Sequence, residues 1–163
     1  MLRKISLLLI LTAPLMIPTA QGATKEELQL QKAEMKYAQG VSKSVAKLAK
    51  KWNKNNDKGK DNAEIEKELK IYLRDELAWL REKGIKTVED PEPMEHPAHP
   101  QKVLPEPPSE TPKLEALRDI CVELRTGDLK PKGYSKKLDE YVTTLDGRAE
   151  RKKNAYKTEK KAS

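Results

Sequence analysis

Apolar residues recur every three or four positions in two long segments of the chain, which is the spacing of one face of an α-helix. The first stripe comprises Leu28, Met35, Ala38, Val41, Val45, Leu48 and Trp52. The second comprises Ile65, Leu69, Tyr72, Leu73, Trp79 and Leu80. Thr24 and Asp61 each stand three residues before a glutamate, the pattern of a capping box at a helix start. We expect helices over 24–52 and 61–83, joined by the polar turn 53–60 into an antiparallel hairpin.

Residues 89–111 interrupt this helical periodicity. Most of the 11 prolines of the chain lie there, and acidic residues are interspersed among them. Because proline removes a backbone donor and fixes φ, the segment predicts an acidic, proline-rich linker and neither helix nor strand. Two shorter apolar stripes follow it and predict helices beginning near Thr111 and Ser135. We expect the last, highly charged residues of the chain to fray.

The pattern as a whole predicts an all-α fold of three parts. A long antiparallel helical hairpin occupies 23–88, the proline-rich linker 89–111, and a second, smaller helical pair with a basic tail 112–163. At about 3.1 Å per residue, the linker is long enough to separate the two pairs or to recross one bundle, so both arrangements stay open. The basic tail points its charges all round the helix, which indicates a solubilising or loosely electrostatic function; it contains Arg148, Arg151, Lys152, Lys153, Lys157, Lys160 and Lys161.

The first 22 residues have a different organisation. Two basic residues precede an apolar run over 5–17, and Ala20-Gln21-Gly22 places small residues where a signal peptidase cleaves. The apolar run is shorter than the about 20 residues that a membrane-spanning helix needs. Residues 1–22 therefore predict a signal peptide that is removed before Ala23. The expected product is periplasmic or secreted, with no integral membrane anchor after signal removal.

Candidate catalytic and metal-binding residues are few. The two histidines, His96 and His99, lie in the linker beside Glu92 and Glu95, where a Zn²⁺ or Cu²⁺ site would lack fixed geometry and supporting hydrogen bonds. The sequence has no plausible nucleophile–histidine–acid set and no phosphate-binding glycine loop. We therefore predict a protein that is not an enzyme, with no metal and no cofactor.

Two polar positions fall on predicted apolar faces. Cys121, the only cysteine, lies on the stripe of the third helix, where cysteine is commonly a small buried side chain; an intermolecular disulfide is the alternative. Glu76 lies on the stripe of the second helix beside Tyr72 and Trp79. Its carboxylate is expected either to reach solvent or to meet a lysine of the first helix.

Positive charge is concentrated on one face of the first predicted helix. Projected at 100° per residue, seven lysines fall within an arc about 60° wide that lies opposite the apolar stripe and holds no carboxylate. We call them the lysine row: Lys25, Lys32, Lys36, Lys43, Lys47, Lys50 and Lys54. Like charges four residues apart repel each other, and the row contains three such pairs. The row is either a solvated face or a binding surface for an anionic partner.

Lysines supply point charges without the bidentate geometry of arginine, so the row favours a diffuse polyanion over one phosphate or carboxylate. A net charge of +7 points to nucleic acid, but predicted export and the lack of aromatic residues among the lysines disfavour it. The predicted partner is an anionic envelope component, such as a cell-wall polymer, lipopolysaccharide or anionic lipid, or an acidic protein. The acidic linker is a second, internal candidate. The alternative function is a structural, self-associating, coiled-coil-like protein with no specific ligand.

Overall fold

Four α-helices make up most of the computed structural model, which describes residues 22–87, 104–126 and 128–163. They are α1 (Lys25–Asp57), α2 (Ala63–Glu82), α3 (Thr111–Thr126) and α4 (Pro131–Ala162). A single 3₁₀ turn precedes α3, and the described ranges contain no strand. The predicted all-α class is confirmed. The signal peptide cleavage and the linker histidines fall on residues outside the described ranges, apart from Gly22 and Ala23.

Of the two capping boxes expected at helix starts, only the one at Thr24 forms. At the start of α1 the capping box is present: the Glu27 amide donates to Thr24 Oγ1 at 3.2 Å, and the Thr24 amide donates to the Glu27 carboxylate at 2.8 Å. These hydrogen bonds lower the pKa of Glu27. The box expected at Asp61 does not form; Asp61 Oδ1 instead accepts from the amide of Ala63 at 3.3 Å.

The end of α2 is a Schellman motif, as the glycine after its basic last turn predicts. Gly84 has φ 85°, a left-handed conformation that glycine adopts without steric cost. The amide of Ile85 donates to the carbonyl of Leu80 at 3.0 Å, and that of Gly84 to the carbonyl of Arg81 at 2.9 Å. The motif turns Ile85 into the core, where it is buried.

The four helices form an antiparallel bundle in which each helix contacts two neighbours. α1 packs against α4 and α2, and α3 packs against α4 and α2, whereas the backbones of the diagonal pairs stay apart and only long side chains meet across the centre. The antiparallel direction of α1 and α4 follows from side-chain contacts at successive levels, including Ser42 with Asp146 and Asn56 with Ser135. With 33 and 32 residues, α1 and α4 are each about 50 Å long.

The predicted division into a long hairpin and a smaller pair is not confirmed. The most extensive helix contact is between α1 and α4, which belong to the two different predicted pairs. The basic end of α4 remains helical to Ala162 where fraying was expected, because it lies beside the beginning of α1: the Ser163 hydroxyl donates to the carbonyl of Ala23 at 3.2 Å. α1 itself continues five residues past Trp52, to Asp57.

One core runs through the bundle. Its most completely buried side chains come from α2, α3 and α4 together with Val45 of α1: Tyr141, Leu69, Leu73, Leu80, Leu117, Leu124, Leu138 and Leu145. Cys121 is also fully buried, which confirms the expected buried position, and burial raises the pKa of its thiol. Among the described helices, none is long and apolar enough to cross a membrane.

The shared core predicts that the four helices unfold together. Leu145 of α4 has no exposed surface, so Leu145→Ala should lower the free energy of unfolding by about 2–5 kcal/mol. Leu28→Ala, at a half-buried position near the start of α1, is the matched control and should cost less than about 1 kcal/mol. Urea unfolding followed by tryptophan fluorescence and circular dichroism measures both. Because the two tryptophans lie on α1 and α2, a fluorescence transition unmoved by Leu145→Ala would contradict a single core.

Candidate functional site

All seven lysines of the lysine row are exposed on the side of α1 that faces away from the bundle. The buried positions of α1, from Glu34 to Trp52, lie on the opposite side of the helix and pack against α2 and α4. None of the seven makes a hydrogen bond or ion pair with another residue in the described ranges. At 1.5 Å per residue, the row from Lys25 to Lys54 is about 44 Å long.

Carboxylates of the neighbouring helices border part of the row. On the α4 side, Asp146 accepts from Ser42 Oγ and Asp139 accepts from Asn53 Nδ2 at 3.5 Å. On the α2 side, Glu64 and Glu68 line the groove between α1 and α2 together with Lys51 and Lys67. These four carboxylates, which we call the acidic flanks, are exposed. The half of the row nearest the α1–α2 turn therefore has carboxylates on both sides, accompanied on the α2 side by two lysines.

A second charged region, buried at the level where α2 ends, was not predicted. Glu76 and Arg148 form a bidentate ion pair, with Nη2 2.9 Å from Oε2 and Nη1 bonded to Oε1, and both side chains are buried. Glu76 thus neither reaches solvent nor meets a lysine of α1. Burial disfavours the charged guanidinium, but Glu76 outweighs it and raises the pKa of Arg148. The Arg148 Cζ lies 4.7 Å from the centre of the Trp79 ring, a cation–π distance.

The end of the acidic linker is held against this region. Residues 104–110, which we call the strap, contribute Glu106, whose carboxylate accepts from Lys83 at 2.9 Å and from Lys152. Buried Glu34 of α1 accepts from Lys83 at 3.0 Å, from Lys152 at 2.9 Å and from the amide of Leu104 at 2.9 Å. Burial opposes ionisation of Glu106, but Lys152 and Lys83 prevail and lower its pKa.

The strap does not neutralise the lysine row. Its second carboxylate, Glu110, pairs with Arg151 at 2.7 Å and with Lys113 at 2.6 Å, and these cations outweigh desolvation to lower its pKa. For Glu106 and Glu110, the expectation that linker carboxylates lie along the row is wrong; the other acidic residues of the linker lie outside the described ranges. The basic tail is likewise not wholly solubilising, because Arg148, Arg151 and Lys152 hold internal ion pairs.

The strap partly closes a cavity of about 340 Å³ between α2, α3 and α4. Its lining combines apolar side chains with charges that are already paired: Trp79, Glu106, Pro107, Glu110, Leu114, Arg148, Arg151, Lys152, Asn154 and Ala155. Its two carboxylates and three cations are all held in ion pairs of the bundle. In the part of the chain that the structure describes, no group of three or more His, Cys, Asp or Glu is placed to hold a metal ion.

A helical projection explains why sequence analysis found the row and missed the buried pair. Every lysine of the row is placed by the geometry of one helix, so 100° steps suffice to align them. Arg148 and Glu76 are 72 positions apart, and only the bundle, in which α2 and α4 face each other across one core, brings them together. The available signal was Glu76 itself, a carboxylate on an apolar stripe, which needs a cationic partner when buried.

Comparison of the chain with protein-family models, with curated proteins and with solved structures finds no match. The candidate site therefore stands on its geometry alone.

The buried Glu76–Arg148 pair predicts a strong asymmetry between single and double substitution. Glu76→Gln leaves a buried guanidinium without its counter-charge and should lower the free energy of unfolding by about 3–5 kcal/mol. Glu76→Leu combined with Arg148→Met should restore most of that loss, because two apolar side chains need no charge compensation. Lys70→Gln, which breaks the exposed Glu66–Lys70 pair, is the control and should cost about 0.3–0.5 kcal/mol. Urea denaturation measures all three; a double variant as unstable as the single one would contradict the argument.

The strap predicts a pH-dependent contribution to stability. The pKa of Glu106 is lowered in the folded protein, so its contribution is present above its ordinary pKa of 4.5 and is lost as pH falls through the lowered value. Glu106→Gln should lower the free energy of unfolding at pH 7 by about 1–2 kcal/mol, and this difference should vanish at acid pH. Urea unfolding of both proteins between pH 7 and pH 3 tests it. Glu115→Gln, at an exposed position of α3, should change little at any pH; a pH-independent effect of Glu106→Gln would refute the assignment.

Proposed function

We propose that the protein is an exported, non-enzymatic binding or scaffold protein of the cell envelope that holds an anionic partner through the lysine row. One contrast carries the proposal. Lys83, Arg148, Arg151 and Lys152 are neutralised by carboxylates of the same chain, whereas the lysine row has no partner in the described ranges. These four cations are therefore neutralised within the bundle, whereas the seven aligned lysines of the row are available to a ligand.

The physical cost of the row supports a ligand. Like charges four residues apart destabilise a helix by about 0.2–0.5 kcal/mol per pair, and the row contains three such pairs. A polyanion relieves this repulsion and gains entropy by releasing its counterions. The bundle also holds the lysine backbone positions rigidly before binding, so little backbone ordering remains to oppose association. Cell-wall polymers, lipopolysaccharide, anionic lipid and acidic proteins share the required chemistry.

The export component of the proposal depends on residues 1–22, whose pattern is that of a signal peptide. Outside the cytoplasm, a basic surface meets envelope polyanions in place of nucleic acid. The alternative, a self-associating structural protein, has less support, because the apolar stripes that would drive association pack against one another inside the bundle.

Charge reversal within the row tests the proposal. Lys36→Glu, Lys43→Glu and Lys47→Glu together should weaken binding to polyphosphate and polyglutamate by at least tenfold. Each lost contact should also reduce the slope of log affinity against log salt concentration by roughly 0.7–0.9. Lys130→Glu, Lys132→Glu and Lys136→Glu, at exposed positions at the start of α4, are the matched control with the same change in net charge. Titrations at several salt concentrations measure both.

Equal losses in the two triple variants would mean that only net charge matters, and unchanged binding in the first would make the row a solvated face. Photoreactive residues at Lys36 and Lys47, crosslinked in the native cell, would identify the partner. Analytical ultracentrifugation at micromolar concentration addresses the self-association alternative, which predicts an oligomer.

A further inference from the structure

The lysine row has an internal repeat of 11 residues. Six of its seven members form two interleaved series at this spacing: Lys25, Lys36 and Lys47, and Lys32, Lys43 and Lys54. Eleven residues make three helical turns plus about 20°, so each series stays almost in line along a straight helix. The repeat rises about 16.5 Å and alternates steps of about 10.5 Å and 6 Å between lysines. The result is a straight line of positive charge, about 44 Å long.

This line is narrow as well as long. Between Lys43 and Lys54 it is bordered by the acidic flanks, with Asp139 and Asp146 on the α4 side and Glu64 and Glu68, beside Lys51 and Lys67, on the α2 side. Exposed charges interact over roughly one Debye length, about 8 Å at physiological ionic strength. A flat anionic surface laid on this half of the row would bring its own charges within that range of the acidic flanks, and the two would repel.

We propose that the row binds a single linear polyanion that lies along α1, and that the acidic flanks exclude a flat anionic bilayer. The inference rests on the proposed function and names the class of partner: a flexible polymer with phosphate or carboxylate groups on successive units. Such a chain is thin enough to contact the lysines between the flanks. Its charges need no fixed register, which suits lysine ammonium groups that act as mobile point charges.

A straight row also sets a length requirement. A polymer shorter than the distance from Lys25 to Lys54 contacts only some of the lysines, and each added unit brings another contact at high effective concentration. Affinity should therefore rise steeply with chain length until the polymer spans about 44 Å. Beyond that length it should rise only slowly, because further units find no lysine of the row to contact.

Polyphosphates of defined chain length are the probe, titrated into the purified protein at fixed salt concentration. We expect a steep rise in affinity followed by a plateau near the length of the row. Vesicles of equal parts phosphatidylcholine and phosphatidylglycerol, compared at the same concentration of anionic charge, should bind at least tenfold more weakly than the longest polymer.

Removal of the acidic flanks tests the exclusion of a bilayer. Glu64→Gln, Glu68→Gln, Asp139→Asn and Asp146→Asn together should raise vesicle binding several-fold and change polyphosphate binding less. The matched control removes four exposed carboxylates from other surfaces: Glu82→Gln, Glu115→Gln, Glu123→Gln and Asp128→Asn. Circular dichroism verifies that both variants remain folded.

The outcomes separate this inference from the proposed function. Polyphosphate binding that needs the row but shows no dependence on chain length refutes the linear-chain inference and leaves the proposed function intact. Vesicles that bind as tightly as the polymer, with no gain when the flanks are removed, show that the occupant is a bilayer. If neither probe binds more tightly to the protein than to its Lys36, Lys43 and Lys47→Glu variant, both proposals fail.

Discussion

The antiparallel packing of α4 along α1 joins the first and last helices of the described bundle and sets the environment of both the lysine row and the buried ion pairs of α4. It extends over most of both helices, from Asn56 beside Ser135 to Ala23 beside Ser163. One face of α1 is covered by α4 and another by α2, so the remaining face is left to solvent. That face carries the lysine row, and the same packing places α4 carboxylates along its edge.

This packing also separates the inward-facing basic residues of α4 from the outward-facing lysines of α1. Those that α4 directs inward meet carboxylates from α1, α2 and the strap, and the burial of Arg148 is tolerated because Glu76 supplies a bidentate counter-charge. Those that α1 directs outward have no such partner in the described ranges. The inward-facing charges are thus neutralised within the bundle, and the outward row remains free to bind. Part of the net positive charge of the protein therefore lies on one exposed face of α1.

The strap lies against the inward-facing cations and not against the lysine row. The strap is the described end of an acidic linker. Its composition alone would allow it to lie against any basic surface, but it lies against the region where α2 ends. Glu106 and Glu110 lie there because Lys83, Lys152 and Arg151 converge at one level of the bundle, and Glu34 draws the strap backbone in through the amide of Leu104. A carboxylate that is bound by several partly buried cations is stabilised more than one that meets a single exposed lysine of the row.

Local physics, readable in the sequence, determined the helices, the capping box at Thr24, the Schellman turn at Gly84, the burial of Cys121 and the alignment of the lysine row. Each depends on residues within a few turns of one another, where 3.6-residue periodicity and turn chemistry suffice. Tertiary structure alone decided that α1 packs chiefly on α4, that Glu76 pairs with Arg148, and that the strap leaves the row uncovered. These outcomes join residues from 23 positions apart (Lys83 and Glu106) to 140 positions apart (Ala23 and Ser163). An amphipathic stripe specifies that a face is buried without specifying which helix buries it.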